Sequence, residues 1–325
     1  MKEEEIRPKR IFDEYRRLAE LDAEKYFGAS GREHVCCPAC GLNGLYSFTK
    51  HTFVYEECPA CQTLFASPRP PVEAFSLFYQ ESESAKYVAS TFYKETAEAR
   101  REKIWRPKAK MLSEIIKRFG ADRSDMVDIG GGYGIFAEEF GKISGRQVTV
   151  IEPGSALAEI CRGKGLKVIQ GFLDDIEPGQ LPVGSKVFVS FELFEHLHAP
   201  EKFLLRLKEL MGSGDMFIFT TLSGAGVDIQ ALWEDSKSVS PPHHLNFFNP
   251  KSARILLERS GFEVLQTSTP GKLDIDILCN NQEFIKDRFW RTFIIQASEA
   301  EKQAMQTFIS DNGLSSHMLV VCRKL

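Results

Sequence analysis

Asp128-Ile129-Gly130-Gly131-Gly132-Tyr133-Gly134 stands where a short apolar run, Met126 to Ile129, gives way to an amphipathic stretch at about 133–143. An apolar run, a glycine-rich turn and a helical pattern in that order predict a strand, a loop and a helix. The glycines let the turn pass close beneath a ligand, where a side chain at Gly130 or Gly132 would collide. Such a turn suits a nucleotide or nucleoside. The dinucleotide fingerprint GxGxxG is not met, because Ile135 follows Gly134 and the third glycine comes one residue early.

Outward from this turn the same alternation repeats. Apolar runs at Gln147 to Ile151, Lys167 to Ile169, Val187 to Phe191 and Met216 to Thr221 predict strands, and helical patterns at about 155–164, 200–211 and 250–260 accompany them. Two late runs, Glu263 to Thr267 and Met318 to Cys322, predict further strands. The residues between Pro270 and Trp290 read as an insertion before the last of them. This pattern predicts an α/β fold built on a doubly wound, mostly parallel sheet covered on both faces, occupying residues 120–325.

Upstream the texture changes. Within residues 1–33, Ile6, Ile11, Tyr15, Leu18, Leu21 and Tyr26 recur at loosely helical spacing and predict a docking helix with one apolar stripe. Residues 34–71 read as a small separate module in which Cys37-Pro38-Ala39-Cys40 is followed, after seventeen residues, by Cys58-Pro59-Ala60-Cys61. Two CxxC turns at this spacing predict a zinc ribbon: each turn brings two thiolates to one ion, and Cys37, Cys40, Cys58 and Cys61 complete a closed, structural Zn2+ site. Cys36, His34 and His51 are expected bystanders. Residues 72–119 read as a helical bridge, with Pro107 in the first turn of its second helix.

Composition limits the function classes. The 325 residues are 43% hydrophobic and 26% charged, which excludes disordered and fibrous architectures. Lysine plus arginine number 41 against 45 aspartate plus glutamate, a net charge of -4, so no positive field favours a nucleic acid. The charged start and the lack of any run of about 18 apolar residues predict neither export nor a membrane span, and the expected compartment is the cytoplasm. A reducing compartment in turn favours metal ligation over disulfides for clustered cysteines.

The GxGxG turn preceded by an acid resembles motif I of the class I S-adenosylmethionine-dependent methyltransferases. That resemblance implies a Rossmann-like seven-stranded sheet and an S-adenosylmethionine cofactor, whose cationic groups suit Asp128 beside Gly130, Gly132 and Gly134. Glu152, ending the next strand 22 residues after Gly130, is placed to accept hydrogen bonds from both ribose hydroxyls. Leu173 and Asp174, after the third strand, fall where these enzymes hold adenine. Phe191 opens Phe191-Glu192-Leu193-Phe194-Glu195-His196, which resembles the family's signature after strand four.

Methyl transfer to a hydroxyl or carbon acid needs a proton acceptor, and Pro241-Pro242-His243-His244 supplies candidates in His244 and His243. The four-cysteine module, Pro68-Arg69-Pro70, Phe78-Tyr79 and the core together resemble the zinc-containing methyltransferases of bacterial sugar and polysaccharide tailoring, over residues 35–270. In the nucleotide-sugar C-methyltransferases of that group a Glu-His pair supplies the base. His244 matches its histidine, whereas His243 replaces the carboxylate, so O-methylation stands beside C-methylation. The acceptor that the resemblance implies is a sugar or nucleotide-sugar. Glu192, Glu195, His196 and His198 are second candidates for acceptor chemistry, and Trp233, Phe247, Phe248 and Trp290 for its walls. Asp174-Asp175 lacks a third spaced ligand, so no catalytic metal is expected. Two alternatives remain open: an RNA or protein methyltransferase recruited through the ribbon, and a non-enzymatic binding protein.

Overall fold

The computed structural model describes residues 1–28 and 31–325. Its strands in chain order are β1 (Leu45–Lys50), β2 (Phe53–Glu57), β3 (Leu64–Ala66), β4 (Asp125–Ile129), β5 (Val148–Glu152), β6 (Lys167–Gln170), β7 (Lys186–Phe191), β8 (Met216–Leu222), β9 (Asn246–Phe247), β10 (Phe262–Ser268) and β11 (His317–Lys324). Seven of them form one sheet in the order β10-β11-β8-β7-β4-β5-β6. Only β11 runs against its neighbours. Every residue of β5 and β8 is buried, as a parallel sheet covered on both faces requires.

The covering helices are α6 (Ile135–Ser144), α7 (Ser155–Gly163), α8 (Pro200–Leu210) and α10 (Pro250–Arg259), close to their expected bounds. The insertion before β11 is built from helices. Its α11 (Asp274–Asn280), α12 (Arg288–Gln296) and α13 (Glu299–Asp311) bury Leu278, Ile294 and Ile309 with Leu232 of α9 (Val227–Leu232) in a core of their own. Trp290 packs there beside Phe289 and Phe293.

The N-terminal segments fold back onto this core. The stripe of α1 (Lys9–Phe27) runs through Ile11, Ala19, Ala23 and Phe27, while Leu21, expected on it, is 55% exposed. Ala23 and Phe27 pack into one core with Phe53, Tyr55 and Phe247, so the helix docks on its own chain. After α2 (Val72–Glu81), residues 83–118 form one unbroken rod: α3 (Glu83–Tyr87), α4 (Tyr93–Arg100) and α5 (Arg106–Arg118), joined by π-helical turns at Val88–Phe92 and Arg101–Trp105. Pro107 falls in the first turn of α5, as expected, although α5 continues the rod directly from the widened turn before it.

The four-cysteine segment does not stand apart. Its sheet has the order β1-β2-β3-β9, and β9 belongs to the loop after β8. Leu64 pairs with Phe247 and Phe65 with Asn246. The buried guanidinium of Arg69 ties the same junction, donating to the carbonyl of Ala66 at 2.8 Å and to the Asn246 side chain. A two-residue strand has no periodicity to betray it, which is why the sequence pattern did not reveal the union.

Candidate active site

The strand order reverses between β4 and β7, and in such sheets a crevice opens at the carboxyl ends of the strands. A cavity of about 1760 Å³ occupies it. That exceeds the roughly 300–1,000 Å³ of a pocket for one small ligand, and leaves room for two side by side. One half is lined by Gly130, Glu152, Leu173 and Asp174, the other by Glu195, His196, His243 and His244.

In the first half, Glu152 is 5% exposed, and its two oxygens accept hydrogen bonds from the backbone N–H groups of Gly132 (2.9 Å) and Gly154 (2.8 Å). Each oxygen keeps a lone pair for a ligand hydroxyl. Burial raises the Glu152 carboxyl above its ordinary value, against the lowering by these two donors. The carboxyl of Asp128, a residue 2% exposed, has no hydrogen bond or ion pair to any described residue, and burial together with Glu152 pushes it up to about 7. Gly130 takes φ +71°, where a Cβ would press on Leu193 at 3.2 Å. Gly134 has a different role from the one expected. It lines neither the large cavity nor the recess beside the turn, and a Cβ there would meet the Cys161 sulfur at 2.8 Å, so its bareness lets α6 pack on α7.

A small recess beside the turn is lined by Asp128, Gly130–Gly132, Phe191, Tyr93, Arg100 and Trp105. Phe191 meets Phe136 at 4.5 Å and lies under the Lys108 ammonium at 4.7 Å. Lys108 itself is a buried cation that sequence reasoning missed. It reaches Thr220 (3.1 Å) and Glu192 (3.3 Å), and Glu192 in turn faces His317 at 3.4 Å. These contacts with Lys108 and His317 hold the Glu192 carboxyl well below the usual range, against its burial. Glu192 has φ +54°, a left-handed conformation that is uncommon for a non-glycine residue and worth inspection near a site. Lys108 falls on the buried stripe Lys108, Leu112, Ile115 of α5. A lysine on an apolar helical face was the signal available.

In the second half, the His244 Nδ1–H donates to the Ser238 carbonyl at 2.6 Å. That bond fixes the tautomer and leaves Nε2 with a free lone pair. Burial pushes the ring down to about 4, so it is neutral at ordinary pH. Its neighbour His243 is packed between Tyr15 (5.5 Å) and Phe78 (4.9 Å), with Nε2 3.5 Å from the Ser84 hydroxyl, and burial pushes it down to about 3. Such packing suits a wedge between helices better than a proton carrier. His196 stands 4.8 Å from His244, ring to ring. Glu195, 1% exposed, accepts from the Thr221 hydroxyl at 2.9 Å, and burial with the Glu192 charge pushes it up to about 8. One ligand atom from each of Glu195, His196 and His244 falls within 4.8 Å of the others, a cluster that residues so far apart in sequence did not announce.

Of the remaining candidates only His198 lines the cavity. His198 bonds the Pro70 carbonyl at 2.9 Å and packs on Phe75. Phe247 and Phe248 are fully buried in core, and Trp233 donates to Ser47 at 3.1 Å. The aromatic walls of the cavity include Phe12, Tyr15, Tyr79, Phe92, Tyr93 and Trp105.

The four thiols converge as the spacing predicts. Cys37 and Cys61 sulfurs are 3.5 Å apart, Cys40 and Cys58 3.4 Å, and Cys40 and Cys61 3.7 Å. A tetrahedral ion with metal–sulfur bonds of about 2.3 Å would set them about 3.8 Å apart, so the donors fit a thiophilic cation. Cys36 points away, its sulfur 3.4 Å from the Asn43 side chain. Asn249, at the start of α10, donates to the carbonyls of Cys61 (2.7 Å) and Gln62 (3.2 Å). The Tyr55 hydroxyl donates to the His244 carbonyl at 2.6 Å, so the module that carries the thiols also holds the histidine loop.

Residues 98–267, just over half the chain, match a family model described as a methyltransferase domain. The chain belongs to this methyltransferase family, and it is an enzyme that draws its methyl group from S-adenosylmethionine. No curated protein matches the sequence. Among solved structures, it is similar to an S-adenosylmethionine-dependent methyltransferase of Mesorhizobium loti at 13% identity, over 65% of this chain and 96% of that one, with a TM-score of 0.43. A possible histamine N-methyltransferase of Thermotoga maritima shares 16% identity over 72% and 98% of the two chains, with a TM-score of 0.42. The plantazolicin methyltransferase BpumL, in complex with a pentazolic substrate analogue and S-adenosylhomocysteine, shares 11% identity over 77% and 95%, with a TM-score of 0.48. No helix among the described residues is long and apolar enough to cross a membrane.

Proposed function

We propose that this enzyme methylates an oxygen or carbon of a small, polar, anionic acceptor, a sugar or nucleotide-sugar of the cytoplasm, with His244 as base. The observation that carries the proposal is the single cavity joining Glu152 and the glycine turn to the free Nε2 of His244. Bound there, S-adenosylmethionine supplies a methyl on a sulfonium leaving group. Glu152 accepts from the ribose, Leu173 and Asp174 flank adenine, and Asp128 faces the cationic end. On the acceptor side Lys202, Lys237 and Lys272 line the cavity without an ion pair among the described residues, which suits a phosphorylated acceptor. Calorimetry with S-adenosylhomocysteine, beside an NADH control, tests the donor half. Turnover on nucleotide-sugars against neutral sugars tests the acceptor half, and equal rates on both would sink the anionic reading.

Asp128 gives this reading a pH signature. With its carboxyl raised to about 7, the free enzyme holds a proton there through mildly acidic pH. A ligand ammonium beside it favours the ionised form, so binding releases a proton between about pH 5 and 7 and weakens as the pH falls. Calorimetry in buffers of different ionisation enthalpy measures that proton, and Asp128→Asn abolishes it.

The four thiols are read as a structural zinc site, whose removal unfastens β3 from β9 and with it the His244 loop. Stripping the ion, or Cys58→Ser, is expected to cut turnover at least 10-fold while cofactor binding by the β4–β5 edge changes little. Parallel loss of both would show that the module supports the whole fold. A second reading has one observation behind it: Glu195, His196 and His244 are compact enough to ligate a cation, which would then activate the acceptor in place of a free base. Metal analysis separates the two, since one zinc per chain supports the base and a second metal ion lost in His196→Ala supports the cation.

A further inference from the structure

The first residues of the chain are tied to two walls of the cavity. The backbone N–H of Glu3 donates to Asp276 of α11 at 2.6 Å, the Lys2 ammonium pairs with the same carboxylate at 3.0 Å, and Asn280 donates to the Glu3 side chain at 3.1 Å. On the other wall Glu5 pairs with Lys103 of the rod, and Ile6 between them is 3% exposed. Chain ends usually fray, because ordering each residue costs about 1–2 kcal/mol of backbone entropy. Here the end is anchored, and Met1, Ile6, Arg7 and Phe12 line the cavity together with Lys103 and with Asp274 and Ile277 of α11.

Arg7 is the cation that this anchoring brings to the cavity wall. Its one ion pair among the described residues, with Glu3, spans 3.9 Å, beyond hydrogen-bond length, and its guanidinium carbon lies 5.5 Å from the Phe12 ring. The other arginine lining the cavity, Arg100, also lines the recess beside the glycine turn, whereas Arg7 does not. Lys103 and Lys108 are engaged by Glu5 and Glu192. Burial lowers the His244 and His317 rings, and the Arg7 charge lowers both further, so that charge acts on the half of the cavity where His244 stands.

We infer that Arg7 grips the phosphate of the acceptor, a specificity contact supplied by the N-terminal segment. The inference rests on the anionic-acceptor reading above and adds a guanidinium to Lys202, Lys237 and Lys272. A guanidinium meets two phosphate oxygens through parallel N–H bonds, where an ammonium acts as a point charge. A phosphate seated there offsets the Arg7 charge, so His244 becomes a stronger base once the acceptor is in place.

The test titrates inorganic pyrophosphate by calorimetry into the full chain saturated with S-adenosylhomocysteine. Arg7→Gln is expected to weaken pyrophosphate binding about 10- to 100-fold, the loss of a charge-assisted pair, and Arg7→Lys to recover part of it. S-adenosylhomocysteine binding stays within about threefold of wild type in both. Unchanged pyrophosphate binding in Arg7→Gln overturns the assignment, and its loss when Lys202→Ala, Lys237→Ala and Lys272→Ala are combined then leaves the anionic acceptor standing. Equal weakening of pyrophosphate and S-adenosylhomocysteine in Arg7→Gln also overturns it, by showing that the segment supports the whole fold. Wild-type protein that binds S-adenosylhomocysteine but not pyrophosphate removes the anionic reading and the Arg7 assignment together.

Discussion

Turnover of His244→Ala falls by about 10²- to 10⁴-fold, the usual contribution of a positioned base, while S-adenosylhomocysteine binding stays within about threefold of wild type. The split follows from geometry: His244 belongs to the loop before β9 and Glu152 to the end of β5, and among the described residues the only hydrogen-bonded partner of the His244 ring is the Ser238 carbonyl. The pH profile carries further information. Because burial pushes His244 down to about 4, no inflection near the ordinary histidine value is expected in kcat. Proton transfer to His244 creates an imidazolium close to Glu195, which is ionised only above about 8. Turnover therefore rises through that region in wild type and is flat in Glu195→Gln. A normal rate in His244→Ala, measured as single turnover on the accepted acceptor, would remove the base assignment.

Glu152→Ala weakens cofactor binding about 100-fold, measured by calorimetry, with the circular dichroism spectrum unchanged. On the proposed cofactor reading the charge-assisted bonding to the ribose disappears, a net loss of about 1.5–3 kcal/mol, and the N–H groups of Gly132 and Gly154 lose their acceptor. Glu152→Gln separates these effects. It keeps an acceptor for one N–H and loses the charge, so an intermediate loss is expected. A variant that binds like wild type would place the ribose elsewhere in the cavity.

The legible part of the molecule was what depends on neighbours in sequence. Strands such as β8, with seven consecutive buried residues, and turns such as Gly130 to Gly134 carry their own signals, as do two CxxC knuckles. The Glu152 position followed from one strand and one turn. What was hidden depends on side chains that meet only after the chain returns. Lys108 reaches Glu192, 84 residues downstream, and Glu192 in turn faces His317, and no periodicity encodes such a meeting. His243 and His244 looked equivalent as adjacent histidines. Both line the cavity, but the fold separates them because one ring is wedged between Tyr15 and Phe78 while the other is anchored through Nδ1 on the Ser238 carbonyl. Gly134 looked like a ligand contact and is a packing contact, since the motif fixes which residues are bare without saying what fills the gap.

The pairing of β3 with β9 also bears on how new specificities can arise. A hybrid chain that takes residues 1–119 from one ancestor and the rest from another would inherit a severed edge at Leu64–Phe247 and Phe65–Asn246, and a mismatched partner for Tyr55 at the His244 carbonyl. Heritable changes of acceptor in the first third of the chain are therefore coupled to a few residues nearly two hundred positions downstream. Productive exchange between relatives has to move both stretches at once, while the donor grip on β4 and β5 can pass through such exchanges untouched.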